Sequence, residues 1–194
     1  MRLSRSVMTS SEHLVRDAYR YRLGWGATAR LKAAARVRAA IERHSGLLEV
    51  SAAVAEEIQD LFVADTCGIT LLDAYGYRDL VNVGELAPEH DRFPEPRWYP
   101  AAQFPLATRM LVEGGGYLSS SASSALYQEF LAMWPQHPEG SFLGVPVMAA
   151  GEVRGELYLA RAAALPAFTL EDVDAARDLA TLYGSVLPTL LEAQ

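Results

Sequence analysis

The chain contains very few of the residues on which several common kinds of site depend. It has one cysteine, Cys67, which excludes an internal disulfide and a zinc site built from cysteines. A single cysteine suits a reducing compartment, and we expect a cytoplasmic protein. No apolar run reaches the roughly 18 residues that a membrane span needs. The N-terminal arginines are not followed by an apolar stretch and a cleavage site. The sequence therefore predicts neither a membrane segment nor a secretory signal.

Positive charge is scarce outside the first quarter of the chain. Residues 1–44 hold ten basic and three acidic residues, a net charge of +7, in a chain whose total is −7. The remainder therefore carries −14, and Lys32, within the basic part, is the only lysine. A length of 194 residues suits one domain with an extension. We predict a basic N-terminal helical extension, residues 1–46, followed by an acidic domain, residues 47–194.

The apolar residues recur at two different spacings, which predict helices and strands in a definite order. Two apolar runs joined at Gly151 and Glu152 predict a β-hairpin over 141–159. Thr169, three residues before Asp172, predicts a capped start for the last helix, 170–191, which Pro188 is expected to distort or end. The other predicted elements are helices 13–22, 29–44 (capped by Thr28), 47–62, 106–113 and 124–133, and strands 66–73, 77–84 and 117–119.

This order of elements suits an α+β fold, a central antiparallel β-sheet with the N- and C-terminal helices packed on one side. It resembles the GAF domain family of sensory modules over residues 47 to about 191. The resemblance is carried by residues 67–73, by the short helix before Gly114, and by 145–147 together with 155–157. It implies a regulatory domain that binds a small molecule or a partner and rarely catalyses a reaction.

In modules of this family the ligand lies between the sheet and the irregular segments that link the second strand to the hairpin, here residues 84–140. That stretch combines aromatic side chains, which suit the walls of a small-molecule pocket, with arginines, which suit the recognition of carboxylate, nitrate-like or phosphate groups. The alternative is that the aromatic residues pack loops onto the sheet and that the arginines face water. Arg109 is the first candidate for a contact with a charged ligand. The full set of candidate ligand-binding residues is Arg97, Trp98, Tyr99, Phe104, Arg109, Tyr117, Ser119, Ser121, Tyr127 and Trp134.

No catalytic machinery is assembled by the sequence, and the cofactor, if any, is unknown. Cys67 is expected to be a buried apolar residue, and it has no resolving partner for the chemistry of the free-methionine-sulfoxide reductases of this family. It also lies outside the second half of the domain, where bilin-binding relatives attach their chromophore. Haem-binding relatives use a histidine, for which His90 and His137 are candidates, although exposed loop histidines are the alternative for both. The histidines show no metal-ligand spacing. We therefore predict a protein that is not an enzyme and has no metal site.

Three interpretations of function remain open at this point. The first is a sensory domain that binds a small molecule and signals through a protein effector or through a homodimer formed by the terminal helices. The second is a protein-interaction scaffold without a ligand. The third, less favoured, is a regulator that contacts nucleic acid through the basic N-terminal helix.

Overall fold

The computed structural model describes residues 24–84, 98–120, 124–133 and 140–193. The predicted helix 13–22 lies outside these residues. Five α-helices are present within the described ranges. We number them α1 (Ala27–Glu42), α2 (Leu47–Phe62), α3 (Pro105–Gly114), α4 (Ala125–Met133) and α5 (Leu170–Glu192), and a 3₁₀ turn, Ala101–Gln103, precedes α3.

The ends of the helices follow the sequence signals in some places and not in others. The predicted cap of α5 is confirmed, because Thr169 Oγ1 accepts from the Asp172 amide at 3.3 Å and Asp172 Oδ2 accepts from the Thr169 amide at 2.8 Å. The predicted cap of α1 is wrong, since the helix already begins at Ala27 and no side chain caps it. Pro188 does not end α5, which continues to Glu192.

The strands form one antiparallel sheet of six strands in the described part of the chain. They are β1 (Thr66–Asp73), β2 (Gly76–Gly84), β3 (Trp98–Tyr99), β4 (Tyr117–Ser119), β5 (Gly140–Ala149) and β6 (Glu152–Ala162), in the spatial order β3-β2-β1-β6-β5-β4. The short strand β3 was not among the strands predicted from the sequence. It pairs with β2 through Tyr77 opposite Tyr99 and Arg78 opposite Trp98.

The two faces of the sheet are covered by different helices. Alternate residues of the central strands, among them Ile69, Leu143 and Leu157, are fully buried in one core together with α1, α2 and α5. The opposite face is covered by α3 and α4, which bury a second and largely aromatic cluster. The predicted α+β fold, with terminal helices packed on one side of an antiparallel sheet, is confirmed.

The described part of the basic extension is joined firmly to this architecture. Trp25 lies against Phe62, with 4.6 Å between ring centroids, and its indole N–H donates to Asp172 at 2.8 Å. On α1, Ala33 and Val37 are buried in the helix-side core. The first turn of α5 is therefore held at once by its own cap and by the segment that leads into α1.

Candidate functional site

Polar side chains are buried on the sheet face that α3 and α4 cover. Because antiparallel strands place paired residues on the same face, one row crosses the sheet from β2 to β4. Gly68 lies opposite both Asn82 and Tyr158, and Gly144 lies opposite both Tyr158 and Tyr117. In the row beside it, Thr70 lies opposite Glu156. The sheet thus has a floor of polar groups beneath its second helical layer.

Two glycines allow tyrosine rings to lie flat on this floor. A Cβ atom on Gly68 would overlap the ring of Tyr158, and a Cβ atom on Gly144 would overlap both the ring of Tyr117 and the Glu156 carboxyl group. Neither glycine has a positive φ, so the requirement here is for space. The alternation of tyrosine and glycine across the strands therefore shapes the floor.

Glu156 is the buried acidic group of this floor. Its side chain, 7% exposed, accepts a short hydrogen bond from the Tyr117 hydroxyl. Burial raises the pKa of Glu156 to about 7, and the nearby negative charge of Asp79 adds to the rise, while the Tyr117 hydrogen bond opposes it. Burial also raises the pKa of Tyr117 well above its usual value, so the tyrosine acts as the donor. The carboxyl group therefore changes its charge near neutral pH.

Asn82 and Thr70 leave hydrogen-bonding capacity unused on the same floor. Asn82 Oδ1 accepts a short hydrogen bond from the Tyr158 hydroxyl. Asn82 Nδ2 and Thr70 Oγ1 are buried and have no hydrogen-bond partner in the structure. Since an unpaired buried polar group costs about 1–3 kcal/mol, these two atoms are the most informative feature of the site.

Aromatic rings fill the space between the floor and the helices above it. Phe104, which leads into α3, lies with its ring centroid 5.9 Å from that of Tyr77 and 5.7 Å from that of Phe130. Tyr127 on α4 stacks on Phe142 of β5 at 5.5 Å. A hydrogen bond of 2.8 Å between the Tyr77 and Thr108 hydroxyls ties β2 to α3. The cover is therefore held mainly by ring packing.

The candidate residues chosen from the sequence lie in three different environments. Tyr99, Phe104, Tyr117 and Tyr127 are buried in the aromatic cluster. Ser119 is also buried, and its hydroxyl is 2.8 Å from that of Ser124. Arg109 and Trp98 are exposed. The centroid of the Trp98 ring lies 5.6 Å from the Arg78 guanidinium carbon. Arg97, Ser121 and Trp134 lie outside the described residues, as do His90 and His137. The role of the whole set in ligand binding stays a prediction.

Four residues of the floor were not predicted from the sequence. The strongest available signal was Glu156, a charged residue between Gly155 and the apolar run that begins at Leu157. A charge in the middle of a buried strand needs a partner or a function. The others, Thr70, Asn82 and Tyr158, become part of one site only when the strand register is known.

The N-terminus of α3 is capped from α4 by a carboxylate. Glu129 accepts hydrogen bonds from the backbone amides of Leu106 at 2.9 Å and Ala107 at 3.0 Å. Because a carboxylate at a helix N-terminus satisfies unpaired N–H groups and the helix dipole, Glu129 fixes the two covering helices to each other.

We expect Glu129→Ala to lower the free energy of unfolding by about 1–2 kcal/mol, because both amides lose their acceptor. Hydrogen exchange of the Leu106 and Ala107 amides should accelerate, measured by NMR. Glu129→Gln keeps one acceptor oxygen and should give an intermediate effect, whereas Glu113→Ala, at the exposed far end of α3, should leave both amides protected. Equal protection in wild type and Glu129→Ala would contradict the capping role.

Metal ligands are not grouped in the described ranges. Between residues 24 and 193, outside the three undescribed gaps, no group of three or more His, Cys, Asp or Glu side chains is placed to hold a metal ion. Cys67 is fully buried on the helix-side face, and burial raises the pKa of its thiol far above the usual value. The thiol is therefore an apolar packing group. None of the helices within the described ranges combines the length and the apolar character needed to cross a membrane.

Comparison with known families decides what this architecture is. A family model described as GAF domain matches residues 44–187 of the chain. The chain belongs to the GAF domain family. GAF domains are generally sensory or regulatory domains that bind small molecules, and they are generally not catalytic. The resemblance inferred from the sequence is confirmed.

Solved structures share the fold of this GAF domain. The GAF domain of a phosphoenolpyruvate-protein phosphotransferase from Acinetobacter superimposes with a TM-score of 0.67 at 22% identity, over 84% of this chain and 95% of that one. A phycocyanobilin-bound GAF domain from a cyanobacterial phytochrome gives 0.66 at 14% identity, over 84% and 96%. A mutant chromophore-binding domain of Stigmatella aurantiaca bacteriophytochrome gives 0.66 at 15% identity, over 82% of this chain, which spans only 60% of that structure. At these identities the likeness shows a common fold. A search of curated proteins found no match to this GAF domain.

Proposed function

We propose that this GAF domain is a non-catalytic sensor that binds a small molecule on the sheet face beneath α3 and α4. The observation that carries the proposal is the floor of polar groups formed by the buried Thr70, Asn82 and Glu156 together with the partly buried Tyr158. Such a set is costly unless it has a use, because each group gives up water on folding. An apolar floor under the same helices would pack as well without that cost.

The binding state is passed to the terminal helices through the turn that follows α3. Arg177 of α5 donates from Nε to the Gly115 carbonyl at 2.7 Å, and its Nη1 pairs with Asp174 at 2.9 Å. A ligand that shifts α3 therefore moves a turn that is bonded to the helix on the opposite face. Ligand-dependent bias of packed helices is a common way in which such changes are transmitted.

The output surface in this proposal is formed by the terminal helices, through which the domain pairs with a second copy or contacts a protein effector in the cytoplasm. Large apolar side chains remain exposed on these helices, with Leu31 72% and Leu170 73% exposed. An isologous contact between two copies would cover such residues on both partners at once.

One observation bears on each of the two alternative functions, a scaffold without a ligand and a nucleic-acid regulator. The dense packing of Phe104, Tyr117 and Phe130 suits a scaffold that holds no ligand. A nucleic-acid partner is supported less, because arginines on α1 are already paired within the domain. Arg30 pairs with Asp178 at 2.7 Å, and Arg36 with Glu57 at 2.6 Å.

The proposal is tested by native mass spectrometry and absorption spectroscopy of protein purified without added ligand. We expect a dimer that carries additional mass, and the mass and spectrum together identify the class of ligand. A Soret band would assign haem. Protein of apo mass that also binds no member of a metabolite library, and whose association state never changes, would favour the scaffold.

Arg109→Ala is expected to abolish the binding of an anionic ligand without changing the apo protein. Arg109 is exposed on α3, so its loss should change the free energy of unfolding by less than about 0.5 kcal/mol. Affinity for the co-purified molecule is measured by calorimetry, and thermal unfolding of the apo form serves as the control. Equal affinity in both proteins would remove Arg109 from the site.

A further inference from the structure

Tyr158 occupies a slot on the floor that a side chain would otherwise fill. Its ring lies over Gly68, which offers no Cβ atom, and its hydroxyl bonds to Asn82 Oδ1. Tyr158 itself is only partly buried, whereas Asn82 and Thr70 are 5% and 6% exposed. The ring is therefore the partly exposed neighbour of the buried Asn82 side chain, and Thr70 lies two residues beyond Gly68 on the same strand.

Some of the polar atoms around this slot have hydrogen-bond partners and others do not. Tyr158 supplies one donor to Asn82 Oδ1, but it offers nothing to Asn82 Nδ2 or to Thr70 Oγ1, which both lack partners. Thr70 lies diagonally from Asn82 across β1 and β2, directly beside Glu156 across β1 and β6. Diagonal neighbours in a regular sheet are about 7–8 Å apart, and a β-bulge between Ile69 and Thr70 lies within this pair. A small ring that is hydrogen-bonded at both ends has the size needed to join two groups at such a distance.

We infer that Tyr158 is a displaceable lid, and that the slot beneath it takes an uncharged planar group bearing a hydrogen-bond acceptor beside a donor, such as a lactam, imide or amide. This inference rests on the proposed function and names the class of ligand for that site. The acceptor takes a hydrogen bond from Asn82 Nδ2, and the donor reaches Thr70 Oγ1, the two buried atoms that lack partners.

The charges around the slot select against an anion at this position. Glu156 and Asp79 both lie on this face, opposite Thr70 on the two neighbouring strands. Among the described residues, the buried side chains on this face include one carboxyl group, that of Glu156, and no cation. The buried Arg161 bonds to the Phe62 and Pro166 carbonyls on the helix side. A carboxylate in the slot would meet like charge in a medium that screens poorly. A neutral lactam avoids that cost, and any anionic part of the same ligand would lie outside the floor, where Arg109 is exposed.

The test opens the slot by mutation and probes it with small rings of similar size. Tyr158→Ala removes the lid, and 2-pyridone, a lactam, is compared with benzene and benzoate by titration of the NMR spectrum. We expect Tyr158→Ala to bind 2-pyridone at least about tenfold more tightly than benzene or benzoate, the worth of about one buried hydrogen bond. Adding Thr70→Val to this variant should weaken the binding of 2-pyridone and leave the affinity for benzene unchanged. Phe142→Ala, which opens a cavity in the aromatic cluster, is the matched control and should not prefer 2-pyridone.

Equal affinity for 2-pyridone and benzene in Tyr158→Ala, or a preference that survives Thr70→Val, would overturn the inference. If Tyr158→Ala does not fold, the wild-type protein is titrated with 2-pyridone instead. The side-chain amide resonance of Asn82, identified by its loss in Asn82→Leu, should then shift, and an unmoved resonance would equally overturn it. Failure of the proposed function would be seen differently. The wild-type protein would then carry no co-purified ligand and bind no library member, while the opened slot of Tyr158→Ala would still prefer 2-pyridone.

Discussion

Replacing Glu156 by glutamine is expected to raise the free energy of unfolding at pH 8 by about 3 kcal/mol. The gain should shrink to less than about 1 kcal/mol at pH 5. The reason is that the folded domain raises the pKa of Glu156 from 4.5 to about 7 by burial. Ionising the carboxyl group in the folded state is therefore harder than ionising it in the unfolded chain.

The sign of the pH dependence follows from the raised pKa of Glu156 in the folded state. Below pH 4.5 the group is protonated in both states, and its contribution to stability is complete. As the pH rises from 4.5 through 7, the unfolded chain releases its proton first, so the wild type loses stability over that window. Glutamine carries no proton to lose, and its side-chain oxygen still accepts from the Tyr117 hydroxyl. The substitution should therefore flatten this part of the pH profile.

Urea unfolding at pH 5, 6, 7 and 8 measures the effect. Glu152→Gln is the matched control, because Glu152 lies exposed at the first position of the same strand and its replacement should leave the wild-type profile in place. Parallel profiles for wild type and Glu156→Gln would show that the carboxyl group is not held in the environment described here. A charge-changing group beneath the covering helices also means that ligand affinity should depend on pH between 5 and 8.

The order of the elements could be predicted because it depends on local patterns. The hairpin of β5 and β6 is marked by two apolar runs and a glycine turn, and the cap of α5 by Thr169 and Asp172. Strand β3 was not predicted, because two residues give no periodicity. It exists because β2 offers a free edge opposite Trp98 and Tyr99.

The site was harder to predict than the fold for a physical reason. Aromatic residues in 84–140 drew attention as candidates, but rings such as Phe104 also satisfy themselves by packing on one another. The floor belongs instead to strands far apart in sequence, since Asn82 and Tyr158 meet across 76 residues. Their contact depends on the register of the strands and on the space that Gly68, lacking a Cβ atom, leaves for the Tyr158 ring. Neither is a local property of the sequence.

Gly184→Ala is expected to destabilise the domain by about 1–2 kcal/mol, although alanine is the better helix former. Gly184 lies within α5 where the helix touches β5, and a Cβ atom there would overlap the Met148 carbonyl oxygen and lie 3.0 Å from its carbon and 3.2 Å from the Met148 nitrogen. These are backbone atoms of a paired strand, which cannot rotate away. Overpacking of this kind costs about 1–3 kcal/mol and occasionally more, whereas the gain in helix propensity is about 1 kcal/mol. The steric cost should therefore exceed the gain.

Thermal unfolding measures the net effect of the steric cost and the helix-propensity gain, with a fall in Tm of roughly 2–8 °C expected for a chain of this size. Ser185→Ala, at the next and exposed position of α5, is the control and should change stability by less than about 0.5 kcal/mol. A Gly184→Ala protein as stable as the wild type would mean that α5 can lift from β5 at little cost. Because Arg177 of α5 also donates to the Gly115 carbonyl in the turn after α3, such freedom would let the helix absorb a ligand-induced shift instead of transmitting it. The rigidity that makes Gly184→Ala costly is thus the same property that the proposed signalling route requires.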